Sequence, residues 1–127
     1  MTMTEEIISG FRFRNWDIYK DAMHFRRSVN TLFKNLPKEE RFELVSQTRR
    51  ALTSIVLNIA EGANRNSDKD KKLFINRAHT SLDEVVACLD CASDDGYIRQ
   101  DDCQNIFAEA ESLAKRLRAF GAHLSSS

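Results

Sequence analysis

The sequence predicts an all-α protein, folded as an up-down antiparallel four-helix bundle. Three observations lead there. Punctuation is sparse, with one proline and four glycines in 127 residues, whereas all-β domains need turn signals every 8–12 positions or so. Apolar residues recur at three- and four-residue steps, the helical period. The links between periodic segments are only a few residues long, which makes sequential helices antiparallel neighbours. The chain has the length of one domain, 1–127, with a core large enough to fold unaided.

Each helix follows from its apolar line. The first spans about 16–36 and carries Ala22, Phe25, Val29, Leu32 and Leu36, with Ile18, Tyr19 and Phe33 widening the face. Pro37 ends it, because proline disfavours helical geometry in the residue before it. The second spans about 39–61, starting beside the early acids Glu39 and Glu40. It carries Val45, Leu52, Ile55 and Ile59 and stops at Gly62, read as a C′ residue. The third spans about 68–95, capped by Ser67 with Asp70 and ending at Gly96. Its line is Phe74, Ala78, Leu82, Val85, Leu89 and Ala92. The fourth spans about 101–121, with Ile106, Ala110, Leu113, Leu117, Phe120 and Leu124 in alternating steps that suit shallowly crossed helices. The residues before Phe11 and the Ser125-Ser126-Ser127 tail are expected to be loose.

Composition excludes several classes. Charged residues make up 30% of the chain and apolar ones 42%, so it is neither disordered nor membranous. No apolar run approaches the roughly 20 residues of a membrane span. The start, Met1-Thr2-Met3-Thr4-Glu5-Glu6, lacks the parts of a secretory signal, and the expected compartment is the cytoplasm. Cys88 and Cys91 have the CxxC spacing of zinc and redox sites, but only Cys103 remains as a further thiol. They lie late in a helix, on or beside its apolar stripe, and are read as buried structural thiols.

The stretch Gln47-Thr48-Arg49-Arg50-Ala51-Leu52-Thr53-Ser54-Ile55-Val56-Leu57-Asn58-Ile59-Ala60-Glu61-Gly62 resembles the signature of the bacterial four-helix-bundle proteins. These are also called intervening-sequence proteins, since some are encoded within inserts in large-subunit ribosomal RNA genes. Ser81-Leu82-Asp83-Glu84 and Gly96-Tyr97-Ile98 fall where that family has a Ser-Leu-x-Glu segment and a Gly-Tyr close. The resemblance runs from about Trp16 to Leu124. It implies up-down bundles assembled as a cyclic homo-oligomer, a homopentamer, with no enzyme activity. It also points to a relative, the accessory protein of diversity-generating retroelements, a basic pentamer that engages nucleic acid and a reverse transcriptase. This chain departs from that relative in its net charge of zero, and it has His79-Thr80 where the family has a Gly-rich step. A ring also suits the outer faces of the first two helices, where Trp16, Tyr19, Phe42, Leu44 and Val56 make a monomer look too apolar.

Gln47, Arg50, Ser54, Asn58 and Glu61 recur at three- and four-residue intervals, forming a polar stripe beside the apolar one. With the third helix folded back, Arg50 is expected near Ser81, and Arg77 and Glu84 one turn to either side. The structural reading is a hydrogen-bonded network of these residues with Ser81 and Glu84, setting register or the contact between subunits. Such groups persist when buried only if paired, since an orphan costs roughly 1–3 kcal/mol. The alternative is a small-ligand site or an enzyme that uses a polar cleft around Arg50 and Glu84. Against catalysis, no nucleophile stands beside a base, and there is no glycine-rich phosphate loop. His24, His79 and His123 are scattered, and there are no Glu-x-x-His repeats for a di-metal site. No cofactor and no metal are expected.

Charge is segregated along the chain. Between Ala63 and Arg77 stand five basic residues, Arg65, Lys69, Lys71, Lys72 and Arg77, against two acids. Between Ala78 and Glu111, Arg99 stands alone against nine acids. Beyond Ser112 the charged residues are Lys115, Arg116 and Arg118. In an up-down bundle these basic groups share a pole with Arg12, Arg14 and Lys20, while Asp90, Asp94, Asp95, Asp101 and Asp102 gather at the other. Acids at a helix N-terminus and bases at a C-terminus suit the helix dipole. Asp94 and Asp95, and Lys69, Lys71 and Lys72, stand at the opposite ends. These charges read either as ordinary solvated surface or as partner-binding rims. The expected function is a non-enzymatic homo-oligomeric scaffold, which on the second reading docks RNA or a nucleic-acid-associated protein at its charged rims.

Overall fold

The computed structural model describes residues 10–36 and 42–125. Four helices follow one another: α1 (Asp17–Lys34), α2 (Phe42–Ala63), α3 (Asp68–Asp94) and α4 (Gln100–Ser125), preceded by a 3-10 turn over Arg12–Asn15. Each helix packs against two others in cyclic order, α1 on α2 and α4, α3 on α2 and α4, and among the described residues no diagonal pair of helices brings its backbones close. The protein is thus an all-α four-helix bundle, and no strand occurs among the described residues.

The core is built from the expected lines. Phe25, Val29, Leu52, Ile55, Ile59, Leu82, Val85, Leu89, Leu113 and Leu117 are almost wholly buried. Phe33 belongs to the buried line of α1, while Leu32 and Leu36 lie at its edge. The outer faces are less apolar than the sequence suggested. Trp16, Tyr19 and Leu44 pack against the core and Val56 is buried, because each lies within a turn of the main stripe. The side chain of Phe42, the stretch Pro37 to Glu40, the residues before Gly10 and Ser126-Ser127 lie outside the described residues.

The helix ends follow local chemistry. Ser67 caps α3, its Oγ accepting from the Asp70 amide at 3.1 Å. At the other end Gly96 has φ +79; its amide donates to Ser93 O at 3.0 Å, and the Tyr97 amide donates to Ala92 O at 2.9 Å. That pair of bonds is a Schellman close, which needs a left-handed residue after the cap. Ahead of α1, Arg12–Asn15 wind into a 3-10 turn that the sequence pattern did not single out. Phe13 there stands edge-on to Tyr19 with centroids 5.0 Å apart.

Gly62 departs from its expected role. It does not terminate α2 but lies buried within its last turn, and Gly96 is the glycine with positive φ among the described residues. Its function is closeness. A β carbon at Gly62 would stand 3.0 Å from the Phe74 β carbon and 3.5 Å from the Lys71 carbonyl oxygen. Helices α2 and α3, the most extensively packed pair, approach this nearly only because no side chain intervenes. Gly62→Val should therefore cost about 1–3 kcal/mol through overpacking, read as a lower urea midpoint; an unchanged midpoint would remove the close approach as a constraint.

Candidate nucleic-acid interface and polar seam

The polar stripe of α2 divides in two. Its inner half meets α3: Asn58 Nδ2 donates to Ser54 O at 2.8 Å and to Ser54 Oγ at 3.0 Å. Ser54 Oγ lies 2.9 Å from Ser81 Oγ. Because Asn58 already donates to the Ser54 oxygen, the Ser54 hydroxyl proton is free to be given to Ser81. Register follows from this pair. Ser54, not Arg50, stands opposite Ser81, so the helices are offset by one turn from the expected alignment, and Gly62 meets Phe74 on the same register.

The outer half faces solvent. Gln47, Arg50, Glu61 and Glu84 are exposed and make no side-chain bond or ion pair with one another among the described residues. Arg50 does line a shallow groove of about 480 Å³ on the outer side of α2, together with Arg49, Thr53, Leu57 and Glu61. Glu84 does not border it. Leu57 is 53% exposed there, an unusual position for a leucine inside such a helix.

Thr48 is buried with no exposed surface, a polar member of the seam that the sequence pattern did not single out. Its Oγ1 donates to Leu44 O at 2.7 Å, which satisfies it locally. Burial pushes the Cys88 thiol above the ordinary cysteine range, partly opposed by the neighbouring Thr48 hydroxyl, and Glu84 and Cys91 push it further the same way. Cys103 is raised chiefly by burial as well. Cys91, read from the sequence as a buried thiol, is instead exposed: three residues are about 300° of helix rotation, which carries it past the edge of the face that holds Cys88.

A second seam, between α1 and α4, was also invisible in the sequence because its partners lie far apart in the chain. Ser28 Oγ donates to Glu109 Oε1 at 3.4 Å and His24 Nε2 lies 3.3 Å from the same oxygen. Serine and histidine thus meet the carboxylate rather than each other. Arg116 pairs with Asp21 at 2.8 Å, and Arg118 donates to His79 Nε2 at 3.2 Å. Among the described residues no group of three His, Cys, Asp or Glu side chains is placed to hold a metal ion. No helix is long and apolar enough to cross a membrane.

The charges fall at the two ends. Asp90, Asp94, Asp95, Asp101 and Asp102 are exposed, the middle three around the α3–α4 connection. At the other pole Arg12, Arg14, Lys69 and Lys72 are exposed and Lys71 half-buried. Together with Lys115, these carry no ion pair among the described residues. Four further cations are engaged: Arg116 and Arg118 as above, and Arg65 and Arg77, whose guanidinium carbons lie 4.4 Å and 4.9 Å from the Phe74 ring centre. The basic pole is thus a set of free cations beside a set already held.

Compared with known protein families, residues 14–119 match the 23S rRNA-intervening sequence protein. The chain belongs to that family. The matched span takes in the 3-10 turn from Arg14 onward and nearly all of the bundle, so both polar seams lie inside it. A comparison with curated proteins returns no match.

The intervening-sequence protein should show a coupled Ser54–Ser81 pair. Ser54→Ala or Ser81→Ala alone should cost about 1 kcal/mol, and the double variant should cost less than the sum by at least about 0.5 kcal/mol. Strict additivity in urea denaturation would mean that the hydroxyls do not bond.

Proposed function

We propose that this intervening-sequence protein works without catalysis, as a homo-oligomeric scaffold whose charged rims dock RNA or a nucleic-acid-associated protein. The ring is a pentamer, as the resemblance in the signature implies. The observation that carries the reading is the separation of charge in a neutral chain: free cations at one pole, exposed aspartates at the other. A cyclic assembly with aligned axes multiplies each pole into a rim. The outer groove of α2, with exposed Leu57 between Arg49 and Glu61, supports a contact between subunits. The family's own name, which refers to 23S rRNA, supports looking for an RNA partner. The rival reading, a ligand site built on Arg50 and Glu84, loses support because both are exposed, they do not pair with each other among the described residues, and Glu84 does not border the groove that Arg50 lines.

Light scattering after size exclusion, at low and high salt, should give about five times the 14.6 kDa chain mass. A single-chain mass at both salts would remove the ring. Joint reversal of Lys69, Lys71 and Lys72 to Glu should abolish RNA binding and leave the assembly mass unchanged. Binding retained at the same salt would show that the basic pole is not the docking surface, since phosphate contacts dominate such affinity and decline steeply with salt.

A further inference from the structure

At the basic pole the 3-10 turn does more than lead into α1. With the last turn of α2 it encloses a cleft of about 860 Å³, closed on one side by Lys71 of α3. That volume lies within the range of small-molecule sites, roughly 300–1,000 Å³. Its walls combine two chemistries. Phe11, Phe13 and Trp16 supply aromatic surface, and Arg12 and Lys71 supply positive charge. In sequence the turn alternates Phe11-Arg12-Phe13-Arg14, so rings and cations interleave.

The rings are braced from behind. Phe13 stands edge-on to both Phe11, at 6.4 Å between centroids, and Tyr19, at 5.0 Å. Trp16 leans on Phe120 at 5.0 Å. Phe11 is 61% exposed, the largest exposure of any large apolar side chain among the described residues. A ring held this way offers a stacking surface at little entropic cost. Arg12 and Lys71 have no ion pair among the described residues, and Arg14, Lys69 and Lys72 continue the free positive charge beyond the cleft.

We infer that this cleft holds an unpaired nucleotide of single-stranded RNA, its base stacked on Phe11 and its phosphates on Arg12 and Lys71. RNA as the source rests on the reading of the basic pole as a nucleic-acid rim. A base has a π-face for the ring whatever its identity, whereas a duplex hides those faces in its stack. The remaining polar wall fits the same ligand. The Glu61 carboxylate and the Asn64 amide border the cleft. Glu61 would repel an acidic peptide or a bare anion but can accept from the exocyclic amine of a base.

The test uses the full chain, with an eight-nucleotide oligoadenylate as probe, alone or paired with oligouridylate. Binding is followed by probe anisotropy and by the emission of Trp16, the one tryptophan of the chain. The single strand should quench Trp16, and Phe11→Ala should weaken its binding about tenfold, with Phe11→Trp restoring it. Binding of the duplex should not respond to Phe11→Ala. Because Phe11 is exposed, the substitution leaves the core intact, which the circular dichroism of the variant checks. Equal single-strand affinity of wild type and Phe11→Ala, or Trp16 emission unchanged at saturation, overturns the cleft. If that occurs while the Lys69, Lys71 and Lys72 reversal still abolishes binding, the rim stands and the cleft alone falls. A DNA strand of the same sequence that binds tenfold tighter overturns the assignment to RNA.

Discussion

Helices α2 and α3 can come no closer than their facing residues allow, and here Gly62 admits the β carbon of Phe74 while Ser54 meets Ser81. The rest of the bundle is arranged around that approach. It puts Ser54 opposite Ser81 at hydrogen-bond distance and brings the buried Thr48 hydroxyl to the Cys88 thiol. Each polar group on this seam is satisfied by a neighbour one turn away or directly across, so little is lost by burying it. With the register set, the same helix necessarily turns Arg50 and Glu61 outward. A buried network and a solvent-facing groove are thus two sides of one constraint.

The charges obey a different logic. Exposed ion pairs contribute little to stability, so folding places only weak demands on where lysines and aspartates stand. Asp94 ends α3 and Asp95 caps it, where the helix dipole is unfavourable to acids. Lys69, Lys71 and Lys72 occupy its positive end, offset by Asp68 and Asp70 in the first turn. These positions are not ones that helix stability favours. The engaged cations differ in kind. Arg116 and Arg118 stitch α4 to α1 and α3, and Arg65 and Arg77 lie over the ring of Phe74, whose β carbon faces Gly62. They serve the bundle, and the lysines at the start of α3 remain available.

Much of this was legible in the chain itself. A buried line such as Phe74, Ala78, Leu82, Val85, Leu89 and Ala92 is local information: once a segment is helical, its spacing determines which side is apolar. Ser67 as a cap and Gly96 as a left-handed close are equally local, since their bonds reach no more than five residues. The same reasoning misplaced Gly62, because a glycine near a helix end looks alike whether it terminates the helix or admits a neighbour. It also misplaced Trp16, Tyr19, Leu44 and Val56, which border the core stripe and are drawn into it by packing.

By itself, then, the sequence determined the four helices, their inward faces and the chemical character of each end, all of which depend on neighbours within a turn or two. Only the tertiary structure decided the one-turn offset between α2 and α3, the meeting of Ser28 and His24 with Glu109, and the gathering of Phe11, Trp16, Asn64 and Lys71 around one cleft. Those groups lie tens of residues apart in the chain. Periodicity specifies the angle of a side chain about its own helix axis but not how far one helix slides along another. That sliding is settled by the shape of the contact, here by a missing β carbon at Gly62 and two serine hydroxyls 2.9 Å apart.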